Sequence, residues 1–199
     1  GSDSDFIYTG LDAFDAQDVA DHYQMLLPTK VLVDEIFKAA TLKVYARTRS
    51  PSSAFSSMKA HTIDNIRPFL NGKSLNQLIA GHKKNVILHN RLFQYDNGNL
   101  LPRNKRDRLA IYGWFQNNNL SSRIQGVNLN HWHDRHFEDY AQGIRLVAKT
   151  MLIKGRRYNT ADVLTGKANG AVRFSQLLTD GRPLIDTHVD GRYFENPAH

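Results

Sequence analysis

The chain contains no cysteine, and its longest apolar runs are only a few residues. Without cysteine there is no disulfide framework and no thiolate zinc site, which fits a reducing compartment. The expected location is therefore cytoplasmic, or a host cytoplasm into which the chain is delivered. No run approaches the length of a bilayer span, so no membrane span is expected. Gly-x-Gly-x-x-Gly, the phosphate loop, Gly-x-Ser-x-Gly and His-Glu-x-x-His are all missing, which disfavours nucleotide folds and serine hydrolases. No internal repeat of fixed period occurs.

What is there is ordinary in bulk and uneven in detail. Hydrophobic residues make up 41% and charged residues 23%, a balance that argues against disorder. A length of 199 residues predicts one domain. Gly1-Ser2 reads as a tag remnant, residues 1–5 as a flexible start, and residues 6–199 as a single domain. The net charge is +7, and its distribution says more than its sum. Residues 1–70 carry 7 Lys/Arg against 9 Asp/Glu, and residues 158–199 carry 4 against 5. Residues 71–157 carry 15 against 5, so the basic excess lies wholly in the middle. A segment like that attracts polyanions by salt-screened Coulomb forces, and nucleic acid is the commonest such partner.

Periodicity predicts a mainly α fold, a single helical domain with a small C-terminal β-hairpin. Asp15 to Leu27 reads as a helix stopped by Pro28, and Thr29 opens a second, to about Arg47, with Leu32, Ile36, Ala40 and Val44 in one stripe. The stretch 50–53 is Ser-rich punctuation, and Pro68 interrupts helical spacing between His61 and Leu70. Ser74 to Tyr95 is the strongest predicted helix, its apolar face Leu75, Leu78, Ile79, Val86, Leu88 and Leu92. Residues 96–99 read as a turn and Arg103 to Gln116 as a further helix. Polar loop follows, with a short strand at Val127 and Leu129. A last long helix is predicted from Asp134 to Lys154, on the stripe Phe137, Tyr140, Ile144, Val147 and Met151. Val172 to Leu178 and Leu184 to Val189 read as a hairpin turning at Asp180-Gly181, within a hairpin region 171–195. Thr160 to Leu178 also has the spacing of two short helices about residues 167–170, as in a helix-turn-helix.

The densest set of chemical side chains is Asn130 to Tyr140, with three histidines and three carboxylates. Imidazole and carboxylate suit zinc, manganese and iron, so a divalent metal is the expected cofactor, held by His131, His133 and Asp134. The plain alternative is a polar helix start, where Asp134, Glu138 and Asp139 suit an N-terminal turn. His131-Trp132-His133 resembles the His-hydrophobic-His half-site of rolling-circle nucleases, and His133-Asp134 the doublet of helical metal phosphohydrolases. Neither pattern continues far enough to assign a family.

Two expectations follow. The first is a nucleic-acid-binding protein, with metal-dependent phosphodiester cleavage as its enzymatic form. There His131, His133, Asp134 and His136 surround the reacting phosphate, and Arg135 or Arg145 balances its charge. Lys83, Lys84, Arg91, Arg103, Lys105, Arg106, Arg108, Arg145 and Lys149 track the backbone, with Tyr95, Tyr112, Trp114 and Trp132 placed to stack on bases. Trp114 also falls on an apolar face, the position of a core residue. The second expectation, from other classes, is a toxin or effector domain acting on a protein or nucleotide, or a non-catalytic structural or genome-coating protein. Composition does not set the oligomeric state.

Overall fold

The computed structural model describes residues 8–48, 61–90, 109–128 and 133–184. Five α-helical segments and ten strands occur among them, so the fold is mixed α/β and the mainly helical expectation is wrong.

The first third follows its capping residues. Helix α1, Ala13–His22, starts where the Asp12 carboxylate accepts from Asp15 N at 2.9 Å. Its buried face is small, with Ala13, Ala16 and Ala20, which lets the backbone approach the core closely. Strand β1 follows, Met25–Leu26. Helix α2, Lys30–Ala39, is capped by the Thr29 hydroxyl and buries Val33 and Phe37. It ends eight residues short of the predicted Arg47, because Leu42–Lys43 leaves as strand β2. A π-helical turn, His61–Ile66, then leads into α3, Arg67–Leu70.

The middle of the chain overturns the helical reading. Ser74 to Tyr95 is not a helix; as far as Asn90 it gives β3, Ile79–Ala80, and β4, Lys84–Val86. Strand β5, Ile111–Phe115, occupies the end of the predicted helix Arg103 to Gln116, and β6 runs Arg123–Asn128. The predicted helix Asp134 to Lys154 is replaced by β7, Gln142–Gly143, β8, Val147–Ala148, and β9, Thr150–Ile153. Strands β6, β5, β4 and β7 form one sheet in that order, antiparallel except for the parallel pair β4–β7. β2 pairs in parallel with β3, and β1 antiparallel with β8. Every residue of β5 is buried. A strand covered on both faces is a continuous apolar run, without the alternation that distinguishes strand from helix in sequence. Phe37 of α2 stacks on Phe115 at 4.0 Å between ring centroids, clamping the helix across the sheet.

The C-terminal expectation is also reversed. Strand β10, Arg156–Asn159, makes a hairpin with β9, upstream of the hairpin region expected at 171–195. Its turn, Lys154-Gly155, has φ of 51° and 78°, the two positive values a type I′ hairpin requires. Val172 to Leu178, predicted as a strand, is helix α5; α4 is Thr160–Leu164. These two short helices flank 165–171 and bury Val163, Ala168 and Ala171 against Met151, Ile153, Tyr158 and Phe174, so hairpin and helices share a small core. Leu184 is buried, and the rest of the proposed second hairpin strand lies outside the described residues. So do the tag remnant, Tyr95, the turn at 96–99 and most of Arg103 to Leu109. No helix among the described residues is long and apolar enough to cross a membrane.

Candidate functional site: a cationic cavity beside the sheet

The sequence-predicted cluster does not assemble around one point. His131, Trp132, Arg91, Arg103, Lys105, Arg106 and Arg108 lie outside the described residues. His133 stacks on Phe137 with ring centroids 3.7 Å apart, and its carbonyl accepts from Leu109 N. The Asp134 carboxylate accepts from His136 N at 3.0 Å, closing a local turn rather than starting a helix. The Arg135 guanidinium lies 4.9 Å from the Phe14 ring centre. The exposed His136 faces the Asp12 carboxylate at 3.5 Å. Among the described residues no three His, Asp or Glu side chains are grouped as metal ligands.

Two of the predicted backbone-tracking cations are turned inward instead. A cavity of about 470 Å³ opens between α2, β3, the start of β4 and the segment after β7. Val33, Ile36, Phe37, Phe115 and Ile144 supply apolar wall, and Tyr8, His82, Lys83, Asn85 and Arg145 supply polar groups. Among the described residues no aspartate or glutamate lines it.

Each polar group is held by the backbone that carries it. Gly81 has φ +110°, and a Cβ there would come 2.6 Å from the Val44 carbonyl and 3.0 Å from Phe37. Only glycine lets the chain pass so close and still turn His82 and Lys83 toward the cavity. Lys84 N bonds Ala141 O at 2.8 Å, and Lys83 O accepts from Trp114 N at 3.1 Å, which sets the register of β4 between its neighbours. Across the β4–β7 pair, Gly143 leaves room for the Lys83 stem, whose Cγ would lie 3.4 Å from an added Cβ. The Lys83 ammonium donates to the Tyr140 carbonyl at 2.8 Å and lies 5.2 Å from the Tyr8 ring centre. Its neighbour Lys84 is ion-paired with Asp139 and covers the Trp114 ring at 4.9 Å. Trp114 is buried, the core position its apolar face implies.

Burial dominates the electrostatics. Lys83 is 8% exposed, and desolvation pulls its ammonium pKa down to about 8 against a smaller opposing pull from Asp139. His82 is 6% exposed, and burial, reinforced by the charges of Lys83 and Arg145, lowers it to about 3. It is therefore neutral at physiological pH. Its Nδ1 has no hydrogen-bond partner among the described residues, and its ring lies 5.0 Å from that of Tyr8. Arg145 donates to the Ile79 carbonyl, and desolvation lowers its pKa as well. Burial raises the Tyr8 phenol, with Arg145 opposing. The cavity thus gathers two cations, a neutral imidazole and a protonated phenol beside an apolar wall.

Charge counting along the chain named Lys83 and Arg145 but could not say that they face inward. The usable signal was local. The cations of Gly81-His82-Lys83-Lys84 sit between the apolar runs Leu78-Ile79-Ala80 and Val86-Ile87-Leu88, where a solvated basic face is hard to build. His82 and Tyr8 carried no such signal. Comparison with protein-family models, with curated proteins and with solved structures finds no match.

Proposed function

We propose that the protein binds a small organic anion, a carboxylate of modest size, in the cavity lined by Lys83 and Arg145. The observation that supports this most directly is a buried lysine and a half-buried arginine lining a cavity to which, among the described residues, no carboxylate side chain contributes. Burying a charge without a counter-charge costs stability, and a bound anion removes that cost. Arginine offers carboxylate a planar pair of donors, lysine a point charge, and the wall of Val33, Ile36, Phe37 and Ile144 a seat for an apolar substituent. The unpartnered Nδ1 of His82 adds a neutral polar contact.

Thermal denaturation with acetate, propionate, benzoate and phosphate tests the reading, with propionamide as the neutral control. A fitting anion at a hundredfold excess over its Kd adds about 2.7 kcal/mol, which raises the melting temperature by several degrees. Arg145→Leu abolishes the shift. No shift with any anion, or an equal shift with the amide, overturns the proposal.

A second reading, nucleic-acid binding, keeps one specific support. Residues 147–159 contain no acidic residue, and the exposed β9–β10 hairpin with its approach carries Lys149, Lys154, Arg156 and Arg157. An exposed basic ribbon is suited to a polyanion backbone. Binding to mixed DNA or RNA that weakens steeply with salt, and weakens again in Arg156→Glu/Arg157→Glu, is the expected result. Salt-independent binding, or none at low salt, removes this reading.

A further inference from the structure

We infer that Lys83 is a covalent-chemistry lysine: its amine condenses with the carbonyl carbon of an α-oxo carboxylate whose carboxylate rests on Arg145. The inference rests on the anion reading of the same cavity and narrows it from carboxylates in general to those with an adjacent carbonyl.

Three features separate Lys83 from an ordinary buried lysine. The first is its partner. Among the described residues its ammonium meets only a neutral acceptor, the Tyr140 carbonyl, and the Tyr8 ring. Asp139, the carboxylate whose charge acts on it, is taken by Lys84, so Lys83 is not held as half of an ion pair. The second is its surroundings. It lines the same cavity as Val33, Phe37, Phe115 and Ile144, where low polarity favours the neutral amine that attacks carbonyls. The depressed pKa agrees, leaving an appreciable free-amine fraction at neutral pH. The third is Arg145, a second cation on the same cavity, able to fix one end of a short ligand while the other meets the amine.

The step balances without an outside reagent. The nitrogen lone pair attacks the carbonyl carbon, a C–N bond forms, and the π pair moves to oxygen. A proton passes from nitrogen to that oxygen, giving a carbinolamine. The hydroxyl leaves as water with a second proton, and a C=N bond remains. One amine and one carbonyl yield one imine and one water, with nothing oxidised or reduced. Tyr8, His61, His82, Lys84, Asp139, Tyr140 and Arg145 are the titratable or charged groups around the amine. Of these, His82 is neutral in the working range and can share the hydrogen bond of the departing oxygen.

The test traps the imine in the full chain with pyruvate as probe and borohydride as reductant. The expected result is one propionate adduct per chain, mapped by peptide mass spectrometry to Lys83 and dependent on both reagents. Lys83→Met and Lys83→Arg both lose it. Lys83→Arg keeps the cation, and a cooperative melting transition in that variant controls for folding. Arg145→Leu slows trapping about tenfold or more, the effect of losing one charge-assisted hydrogen bond. Acetone, which has the carbonyl but no carboxylate, gives no preference for Lys83. Adducts spread over exposed lysines such as Lys38 and Lys149 with Lys83 unmodified, while propionate still raises the melting temperature, overturn the imine and leave anion binding standing. Absence of any thermal shift removes the anion reading itself.

Discussion

Lys83 and Tyr140 are joined by a 2.8 Å hydrogen bond from a buried ammonium to a neutral main-chain carbonyl. Because desolvation dominates, the folded protein holds this charge at a cost. With the ammonium pKa lowered from 10.5 to about 8, the cost below pH 8 is about 3 kcal/mol. Lys83→Met, which keeps most of the volume, removes that cost and forfeits one hydrogen bond. Its melting temperature at pH 7 is expected to exceed wild type by several degrees. The unfolded lysine stays protonated up to about 10.5, so wild-type stability rises between pH 8 and 10.5 and the advantage of Met shrinks. A variant less stable than wild type at pH 7 contradicts this.

Lys84 and Asp139 behave oppositely, since the pair is only partly exposed and each partner neutralises the other. Asp139 also accepts from Ala141 N at 2.7 Å, a bond that asparagine can keep. Lys84→Met and Asp139→Asn each lower stability by about 1–3 kcal/mol in urea denaturation. The double variant loses less than their sum, because neither charge is then left alone. Additive losses mean that the pair is not coupled.

Acid stability reports on His82. Its folded pKa of about 3 lies below its unfolded value of 6.5, so the unfolded chain binds a proton that the folded chain refuses. Stability therefore falls between pH 6.5 and 3, by up to roughly 1.4 kcal/mol per pH unit from this group. His82→Phe flattens that part of the curve, measured by denaturant midpoints at pH 7, 5 and 4. An unchanged slope places the acid sensitivity elsewhere.

Gly81 is the backbone pivot of the site. Alanine there brings a Cβ against the Val44 carbonyl at a φ of +110°, and the expected loss is about 2–4 kcal/mol. Gly72, also at positive φ but with nothing near its missing Cβ, is the control and loses less. Equal losses at the two positions show that contact with Val44 and Phe37 contributes nothing.

What the sequence made legible was local and capped. Thr29 opens α2 as expected, whereas α1 starts at Ala13 under its Asp12 cap, ahead of the expected Asp15, and the paired positive φ at Lys154-Gly155 turns a hairpin where a helix was expected to end. What misled was apolar spacing. Leu78, Ile79, Val86 and Leu88 fit one helical face, yet Ile79 and Val86 lie on two short strands separated by Gly81, Leu88 on an isolated bridge and Leu78 just before the first strand. Phe137, Ile144, Val147 and Met151 likewise look like one stripe but lie on loop and strands, with Phe137 and Ile144 packing on the main core and Met151 on the C-terminal one. Long-range pairing chose the strands, and windowed periodicity carries no information about partners distant in sequence. The cavity fared the same way. Lys83 and Arg145 were visible as charge, but the inward direction depends on Gly81 turning the chain beside Val44 and on Gly143 leaving room for the Lys83 stem across β4 and β7.

The most direct test of the anion site is titration calorimetry of propionate, run in two buffers of different ionisation enthalpy so that proton uptake is counted. An anion beside Lys83 returns its pKa toward 10.5, while His82 is already neutral and the Tyr8 phenol still protonated in the window used. The expected result is uptake approaching one proton per chain at pH 9, almost none at pH 6.5, and none in Lys83→Met. Binding at pH 9 with no proton uptake, or no binding at either pH, contradicts a site built on this lysine.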